Sequence, residues 1–168
     1  MEQNQLERWE GKASIHLPNT KADQVWPLIS NFFSIHLWLP DVAVCEKVAG
    51  LEGQPGSIRY CATAPGDGKK PEIWAKEKLL AFDPVARSYC YEVTDSNMGF
   101  DRYVSTFKVL EEEGEGGCKL EWSFESGPVE GWTQDSLAAY LLTGLEFMAN
   151  KVEEVLKASP AFAPPTSE

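Results

Sequence analysis

The sequence predicts an α+β domain in which an antiparallel sheet curls around one long helix near the C-terminus. Three observations predict this fold. A first strand precedes two short helices, the next half of the chain alternates apolar and polar residues at strand spacing, and the last element repeats apolar residues at helical spacing. The apolar faces of such a sheet and helix need not fill the space between them.

Length and charge limit the functional classes. The 168 residues fit one domain, and the composition, 43% hydrophobic, is typical of a soluble globular protein. A net charge of −11 repels phosphate groups, so we expect neither a nucleic-acid partner nor an anionic membrane partner. The N-terminus lacks a signal-peptide pattern, and no apolar run reaches the ~20 residues of a membrane span. We therefore expect a cytoplasmic protein without stable membrane insertion.

The N-terminal part is predicted to contain one strand and two short helices. Alternation over residues 12–17 predicts a half-buried strand, and residues 18–20 supply turn and N-cap chemistry for a first helix, which Pro27 shortens or bends. A second apolar cluster follows, and the two helices should meet near residues 31–34. Candidate core or cavity-lining side chains here are Phe32, Phe33, Ile35, Leu37 and Leu39. His36 and Trp38 are expected at the surface or at a packing boundary.

Six further strands fill the middle of the chain, separated by turns rich in Gly, Pro and Asp. We predict them at residues 42–48, 57–62, 73–82, 88–94, 102–110 and 118–126. A Gly- and Pro-rich stretch at 63–71 is expected to be a mobile hairpin loop. Side chains on one face of the later strands are rich in aromatic rings and hydroxyls: Tyr89, Tyr91, Val93, Tyr103, Ser105, Phe107, Val109, Leu120, Trp122 and Phe124. This composition fits a concave ligand surface or an aromatic core with satisfied hydroxyls.

The last element is predicted to be a helix over residues 134–157. Its apolar residues recur every three or four positions: Leu137, Leu141, Leu145, Met148, Val152 and Val155. Gly144, beside this row, indicates either close packing or room for a ligand beneath the helix. We thus predict a single domain over residues 9–158, between a flexible lead at 1–8 and a disordered Pro-rich tail at 159–168.

Glu77 stands out in the 73–82 strand because it shares the apolar face. Alternation places it in one row with Ile73, Ala75, Leu79 and Ala81. Burying an unpaired carboxylate costs roughly several kcal/mol. A carboxylate at such a position therefore needs an ion-pair partner or a polar cavity. Glu77 is therefore a functional candidate. A structural ion pair or a misassigned face explains the pattern equally well.

Cysteine and histidine spacing gives no metal signature. Cys45, Cys61, Cys90 and Cys118 are widely separated, and the chain has only two histidines. Free thiols in strands are the favoured interpretation in a reducing compartment. We expect no metal and no cofactor, and the sequence makes no prediction about oligomeric state.

Several short segments resemble the plant lachrymatory-factor-synthase family. They occur in matching order over residues 9–155: Leu17-Pro18-Asn19-Thr20-Lys21, Val44-Cys45-Glu46, Ile58-Arg59-Tyr60, Trp74-Ala75-Lys76-Glu77-Lys78-Leu79, Ser88-Tyr89-Cys90-Tyr91, Glu121-Trp122-Ser123-Phe124 and Val152-Glu153-Glu154-Val155. That family belongs to the START-related, birch-pollen-allergen-like (SRPBCC) superfamily, also described as polyketide cyclase/dehydrase and lipid transport. The resemblance implies a helix-grip fold: a seven-stranded antiparallel sheet wrapped around the terminal helix, two short helices, and an internal apolar cavity.

The resemblance also implies site residues. An arginine and a glutamate form the central catalytic pair in that family, and they match Arg59 and Glu77. Nearby aromatic residues of the family match Tyr91, Tyr103 and Trp122. Three positions depart from the family, because aromatic residues there are replaced by Ile73, Val93 and Gly144. The side chains of the cavity wall are therefore smaller than in the family. For this reason the family's substrate, a small sulfenic acid, cannot be assigned to this protein on the basis of the Arg/Glu pair.

Three functions remain open after this comparison. The first is a cofactor-free isomerase or cyclase that uses the Arg/Glu pair for proton transfer on a small, partly apolar substrate. The second is a non-catalytic carrier of lipids or hydrophobic metabolites. The third, a hormone receptor like the related abscisic-acid receptors, is disfavoured because residues 62–66 and 97–100 lack the gate and latch motifs of those receptors.

Overall fold

The computed structural model describes residues 7–64, 72–112 and 116–158. Within these ranges the chain forms seven strands, two α-helices and one 3-10 helix: β1 Trp9–Leu17, α1 Ala22–Ile29, the 3-10 helix Phe32–Leu37, β2 Val44–Ala49, β3 Ile58–Ala62, β4 Trp74–Asp83, β5 Ser88–Ser96, β6 Val104–Glu111, β7 Cys118–Ser126 and α2 Gln134–Ala158. The predicted α+β element order is confirmed. The expected tail, most of the expected lead and most of the 63–71 loop lie outside the described residues.

All seven strands form one antiparallel sheet in the order β1-β7-β6-β5-β4-β3-β2, with β1 and β2 at the edges. The inner face carries the aromatic rows predicted from alternation, and α2 packs on it most closely along β1 and β7. Five residues of the predicted helix row are fully buried there: Leu137, Leu141, Leu145, Met148 and Val152. This is the helix-grip arrangement, in which the curled sheet holds the terminal helix.

Helix α1 begins later than its predicted cap. Lys21, and not residues 18–20, is the N-cap, and its backbone N–H donates to Gln24 Oε1 at 3.0 Å. Pro27 lies inside the helix, which has only eight residues. Pro27 has no backbone N–H to donate to the regular helical hydrogen bonds, and the helix ends two residues later.

The segment after α1 buries a different face from the one predicted. Leu37, expected in the core or lining the cavity, is 54% exposed, whereas Trp38, expected at the surface or at a packing boundary, is buried. The segment consists of two short 3-10 turns that meet at a kink at Ser34, and the buried Phe32, Ile35 and Trp38 follow the three-residue spacing of such turns.

Strand β4 also departs from simple alternation at its end. A β-bulge between Leu79 and Ala81 shifts the register with β5, so Ala81 faces solvent and the prediction that it shares the inner row is wrong. Phe82 turns inward instead, and its ring lies 5.6 Å from that of Trp26 and 6.5 Å from that of Tyr89. Glu77 lies before the bulge and keeps the face predicted for it.

Two further findings concern the described residues alone. The four cysteines are free thiols, each in a strand, as predicted. No helix in the described ranges is both long and apolar enough to cross a membrane.

Candidate functional site

A cavity of about 120 Å³ lies between the inner face of the sheet, α2 and the segment after the 3-10 helix. Seven of the eight predicted site residues line it: Arg59, Ile73, Glu77, Tyr91, Val93, Tyr103 and Trp122. Other lining residues are exposed, notably Asp41 and Tyr140, so the cavity is open toward solvent on their side. The cavity therefore runs from an open mouth to a deep wall.

Strand pairing brings Arg59 and Glu77 together. They are directly opposite each other in the β3–β4 register, both on the inner face. Arg59 Nε donates a hydrogen bond to Glu77 Oε1 at 2.7 Å. The Arg59 side chain is 3% exposed and that of Glu77 is 15% exposed, so the carboxylate lies nearer to solvent. Among the described residues no donor contacts the second carboxylate oxygen, Oε2.

Arg59 is held from three other sides. Its Nη1 donates to the Phe32 carbonyl oxygen at 2.8 Å, and its Cζ lies 4.0 Å from the Phe32 ring centroid and 4.9 Å from that of Tyr91. Burial, the largest single effect, lowers the pKa of the guanidinium, but Glu77 together with Cys61, Tyr89 and Tyr91 raises it by more, so the net pKa lies well above the ordinary value. Arg59 is a fixed cation with further N–H donors beyond these two contacts.

Two tyrosine hydroxyls accompany the pair on the cavity wall. Burial raises the pKa of Tyr91 well above its ordinary value, and the negative charge of Glu77 raises it further. Burial likewise raises the pKa of Tyr103, whose ring stacks on Phe124 at 5.8 Å. Both hydroxyls therefore stay protonated at physiological pH and can donate to a ligand oxygen.

The buried tyrosines predict a loss of stability in alkali. Burial raises the pKa of Tyr89, Tyr91 and Tyr103 above the unfolded value of about 10, so their contribution is complete below pH 10 and falls as the pH rises toward the folded values. Three such groups lower the free energy of unfolding by roughly 4 kcal/mol per pH unit in that window. Urea unfolding from pH 8 to pH 11.5, with tyrosinate absorbance followed in parallel, measures the slope.

A single substitution isolates one tyrosine's share of that slope. In Tyr91→Phe the alkaline slope should fall by about 1.4 kcal/mol per pH unit, because one proton fewer is released on unfolding. An unchanged slope would mean that the Tyr91 hydroxyl is already ionised in the folded protein.

Gly144 is the predicted site residue that does not line the cavity. A Cβ at this position would lie 3.1 Å from Trp122 Cζ3 and 3.6 Å from Leu39 Cδ2. The Trp122 indole thus packs against the α2 backbone at Gly144, and both Trp122 and Leu39 line the cavity. Of the two explanations offered by the sequence, close packing is the one that the geometry supports.

The substitution Gly144→Ala should raise the free energy of unfolding by up to about 1 kcal/mol, the usual helix advantage of Ala over Gly. The added methyl group requires the Trp122 ring to shift by a few tenths of an ångström. Because Trp122 lines the cavity, the ring has space into which it can move. Urea unfolding measures the change, and Ala139→Gly on the exposed face of α2 calibrates the propensity term. Destabilisation by Gly144→Ala would show that Trp122 cannot move.

Sequence reasoning missed several lining residues. Cys61 shares the inner face of β3 with Arg59 at a spacing of two, a signal that was present but unused. Met98 and Phe100 come from the loop between β5 and β6, where no periodicity predicts direction. Tyr140 lies one helical turn before Gly144. This spacing of four residues makes Tyr140 a neighbour of Gly144 on the surface of α2.

The described residues contain no group of three or more His, Cys, Asp or Glu side chains arranged to hold a metal ion. The polar groups on the cavity wall are the Arg59 guanidinium, the Glu77 and Asp41 carboxylates, the Cys61 thiol and the hydroxyls of Thr63, Tyr91, Tyr103 and Tyr140, and the rest of the wall is mainly apolar.

Comparison with known proteins assigns the chain to a family. The family model described as polyketide cyclase / dehydrase and lipid transport matches residues 8–157, nearly the whole chain. The chain belongs to this family. Membership agrees with the helix-grip fold and with a cavity that binds small molecules, and it accounts for the superfamily part of the resemblance noted from the sequence.

Solved structures of similar fold come from bacteria. An uncharacterised protein of Bacillus thuringiensis is 22% identical, with a TM-score of 0.68 over 86% of this chain and 98% of that chain. The protein XoxI of Bacillus cereus is also 22% identical, with a TM-score of 0.66 over 88% and 94% of the two chains. A Thermobifida fusca protein solved by NMR is 20% identical, with a TM-score of 0.70 over 87% and 94%. At these identities the similarity shows the fold alone.

Proposed function

We propose that this protein is a cofactor-free enzyme of the isomerase or cyclase type, which moves a proton within a small, partly apolar substrate. The observation that carries the proposal is the buried Arg59–Glu77 pair on the wall of a cavity. A purely structural ion pair needs no void beside it. Here a permanent cation and a carboxylate with one oxygen unclaimed by the described residues both face a space that a ligand can enter.

Arg59 and Glu77 have different roles in the proposed reaction. Arg59 donates to a substrate oxygen and stabilises the negative charge that develops on it when a proton leaves. Glu77 takes that proton through Oε2 and returns it to another atom of the same substrate, so atoms and electrons balance without a co-reactant. Tyr91 or Tyr103 orients the substrate by hydrogen bonding, and Ile73, Val93 and Trp122 contact its apolar part.

Cavity size supports a small substrate. The cavity holds about 120 Å³, whereas pockets for drug-sized ligands hold about 300–1,000 Å³. This volume favours a small ligand over a long-chain lipid.

The alternative is a non-catalytic carrier of a hydrophobic metabolite. The mainly apolar wall around Met98, Phe100 and Val93 favours it, as does the lipid-transport part of the family description. In a carrier, Arg59 and Glu77 would only neutralise each other or bind a polar end of the ligand. The resemblance to the lachrymatory-factor-synthase family supports the enzyme, and with it we propose a plant-type role in the cytoplasm. The net charge of −11 argues against a nucleic-acid partner.

Proton exchange separates the two functions. Small β,γ-unsaturated carbonyl compounds and sulfoxides are incubated with the protein in D₂O and followed by NMR. The enzyme predicts deuterium incorporation or a shifted double bond in at least one compound that also shows binding. Binding without either change, in every compound that binds, would favour the carrier. Mass spectrometry of whatever co-purifies then identifies the class of the natural ligand.

A further inference from the structure

Two thiols that the proposed mechanism does not use lie beside the cavity. Cys45 on β2 and Cys61 on β3 are directly opposite each other in the antiparallel register, and their Sγ atoms are 3.7 Å apart. Directly opposite residues in such a ladder have Cα atoms about 4.5–5.5 Å apart, which is within the range that a disulfide spans. Closing the bond therefore needs side-chain rotation and little backbone movement.

The site is reachable by small molecules. Strand β2 is an edge strand of the sheet, and both cysteines are partly exposed. Cys61 also lines the cavity, two residues along β3 from Arg59. A disulfide reagent such as oxidised glutathione can thus approach the pair from the sheet edge, and only a small molecule can approach it from the cavity.

The surroundings give the two sulfur atoms different roles. The Cys61 thiol donates to Cys45 Sγ, and this contact, together with the positive charge of Arg59, lowers the pKa of Cys45 to about 6 against the burial that raises it. The same contact and burial raise the pKa of Cys61. His36 also lowers the pKa of Cys45, and its Nδ1 is buried with no partner among the described residues. Cys45, on the edge strand, is the more accessible thiol and acts as the nucleophile, and Cys61, on the next strand inward at the cavity wall, is the second thiol.

We propose that Cys45 and Cys61 form a redox-active dithiol at the cavity wall, which a small disulfide such as oxidised glutathione converts into a cross-strand disulfide. The Cys45 thiolate attacks one glutathione sulfur, forms a mixed disulfide and releases one glutathione thiolate. Cys61 then loses its proton and attacks Cys45 Sγ, and the second glutathione leaves. Two protein thiols are oxidised and one glutathione disulfide is reduced to two thiols. In reducing compartments such bonds are typically transient and regulatory.

The reduced full-length protein incubated with oxidised glutathione tests the proposal. Free thiols are counted after unfolding, and intact mass and peptide mapping locate the products. We expect two of the four thiols to disappear, the mass to fall by two hydrogen atoms, and one linked peptide pair to contain Cys45 and Cys61. Four surviving thiols, a link between other cysteines, or a glutathione adduct that persists on the wild-type protein would each overturn the proposal.

Serine variants assign the two roles. Cys61→Ser should stop at a stable glutathione adduct on Cys45, whereas Cys45→Ser should react at least about tenfold more slowly, because the nucleophile is lost. The double variant Cys90→Ser/Cys118→Ser is the matched control and should form the disulfide at the wild-type rate. A limiting amount of iodoacetamide on the wild-type protein gives an independent check, since Cys45 should be alkylated first. First modification of any other cysteine would contradict the assignment.

Discussion

Replacing Arg59 by leucine is expected to lower the free energy of unfolding by roughly 3–5 kcal/mol, the usual cost of removing one partner from a buried ion pair. The substitution leaves the Glu77 carboxylate and the Phe32 carbonyl oxygen without their donors, 2.7 Å and 2.8 Å away in the native protein. Because Glu77 is 15% exposed, water can reach part of it, and we expect the lower end of the range. Urea unfolding at neutral pH measures the change.

Two further variants show where that cost originates. Arg59→Leu/Glu77→Leu removes the unpaired carboxylate as well, so it should be no less stable than Arg59→Leu alone. Arg8→Leu removes an exposed ion pair with Glu125 and should cost less than about 1 kcal/mol. Suppose that the double variant loses, relative to Arg59→Leu, as much free energy of unfolding as Glu77→Leu alone loses relative to the wild type. The two side chains are then not coupled, and the charge argument fails.

The sequence predicted the strands well because their surroundings are regular. The buried face of β5, β6 and β7 is mainly apolar and the outer face mainly polar, so alternation gave the buried rows, and alternation within β4 placed Glu77 on the inner face. Prediction failed where the backbone leaves its regular period. The β4 bulge exposed Ala81 and turned Phe82 inward, and the three-residue period of the 3-10 helix exchanged Leu37 for Trp38.

The candidate site was predicted less completely, for a related physical reason. Glu77 was anomalous in its own strand, whereas Arg59 came to attention only through a family resemblance, because a single Arg in a short strand carries no periodic signal. The contact that places Arg59, its hydrogen bond to the Phe32 carbonyl oxygen, joins residues 27 positions apart and uses a backbone atom. No side-chain pattern predicts such a contact. The Gly144–Trp122 packing is equally non-local.

Reactivity in this cavity depends on the asymmetry of the pair. Arg59 is the deeper member and is held by Phe32 and Tyr91 as well as by Glu77, so it keeps its position when a ligand enters. Glu77 is the more exposed member, and among the described residues it is held at one oxygen only. A carboxylate held at one oxygen beside a fixed cation suits the proposed proton transfer, in which the base reaches two substrate atoms while the oxyanion stays in place.

The substitution Glu77→Gln should accordingly lower the rate of proton exchange in a bound substrate by roughly 10²–10⁴-fold, the usual contribution of a general base. The amide oxygen can still accept the Arg59 Nε hydrogen bond, so we expect binding to be retained and stability to change by less than about 1.5 kcal/mol. Deuterium incorporation measured by NMR gives the rate, and ligand titration in the same samples gives the affinity.

Glu121→Gln is the matched control for that experiment. Its carboxylate also lies on a strand, is 14% exposed against 15% for Glu77, and has a lysine partner, Lys12, at 3.9 Å, but it lies on the outer face away from the cavity. It should leave exchange unchanged. Equal losses in the two variants would point to a general effect of carboxylate removal. Wild-type exchange in Glu77→Gln would remove Glu77 as the base and leave the pair with only the binding role of a carrier.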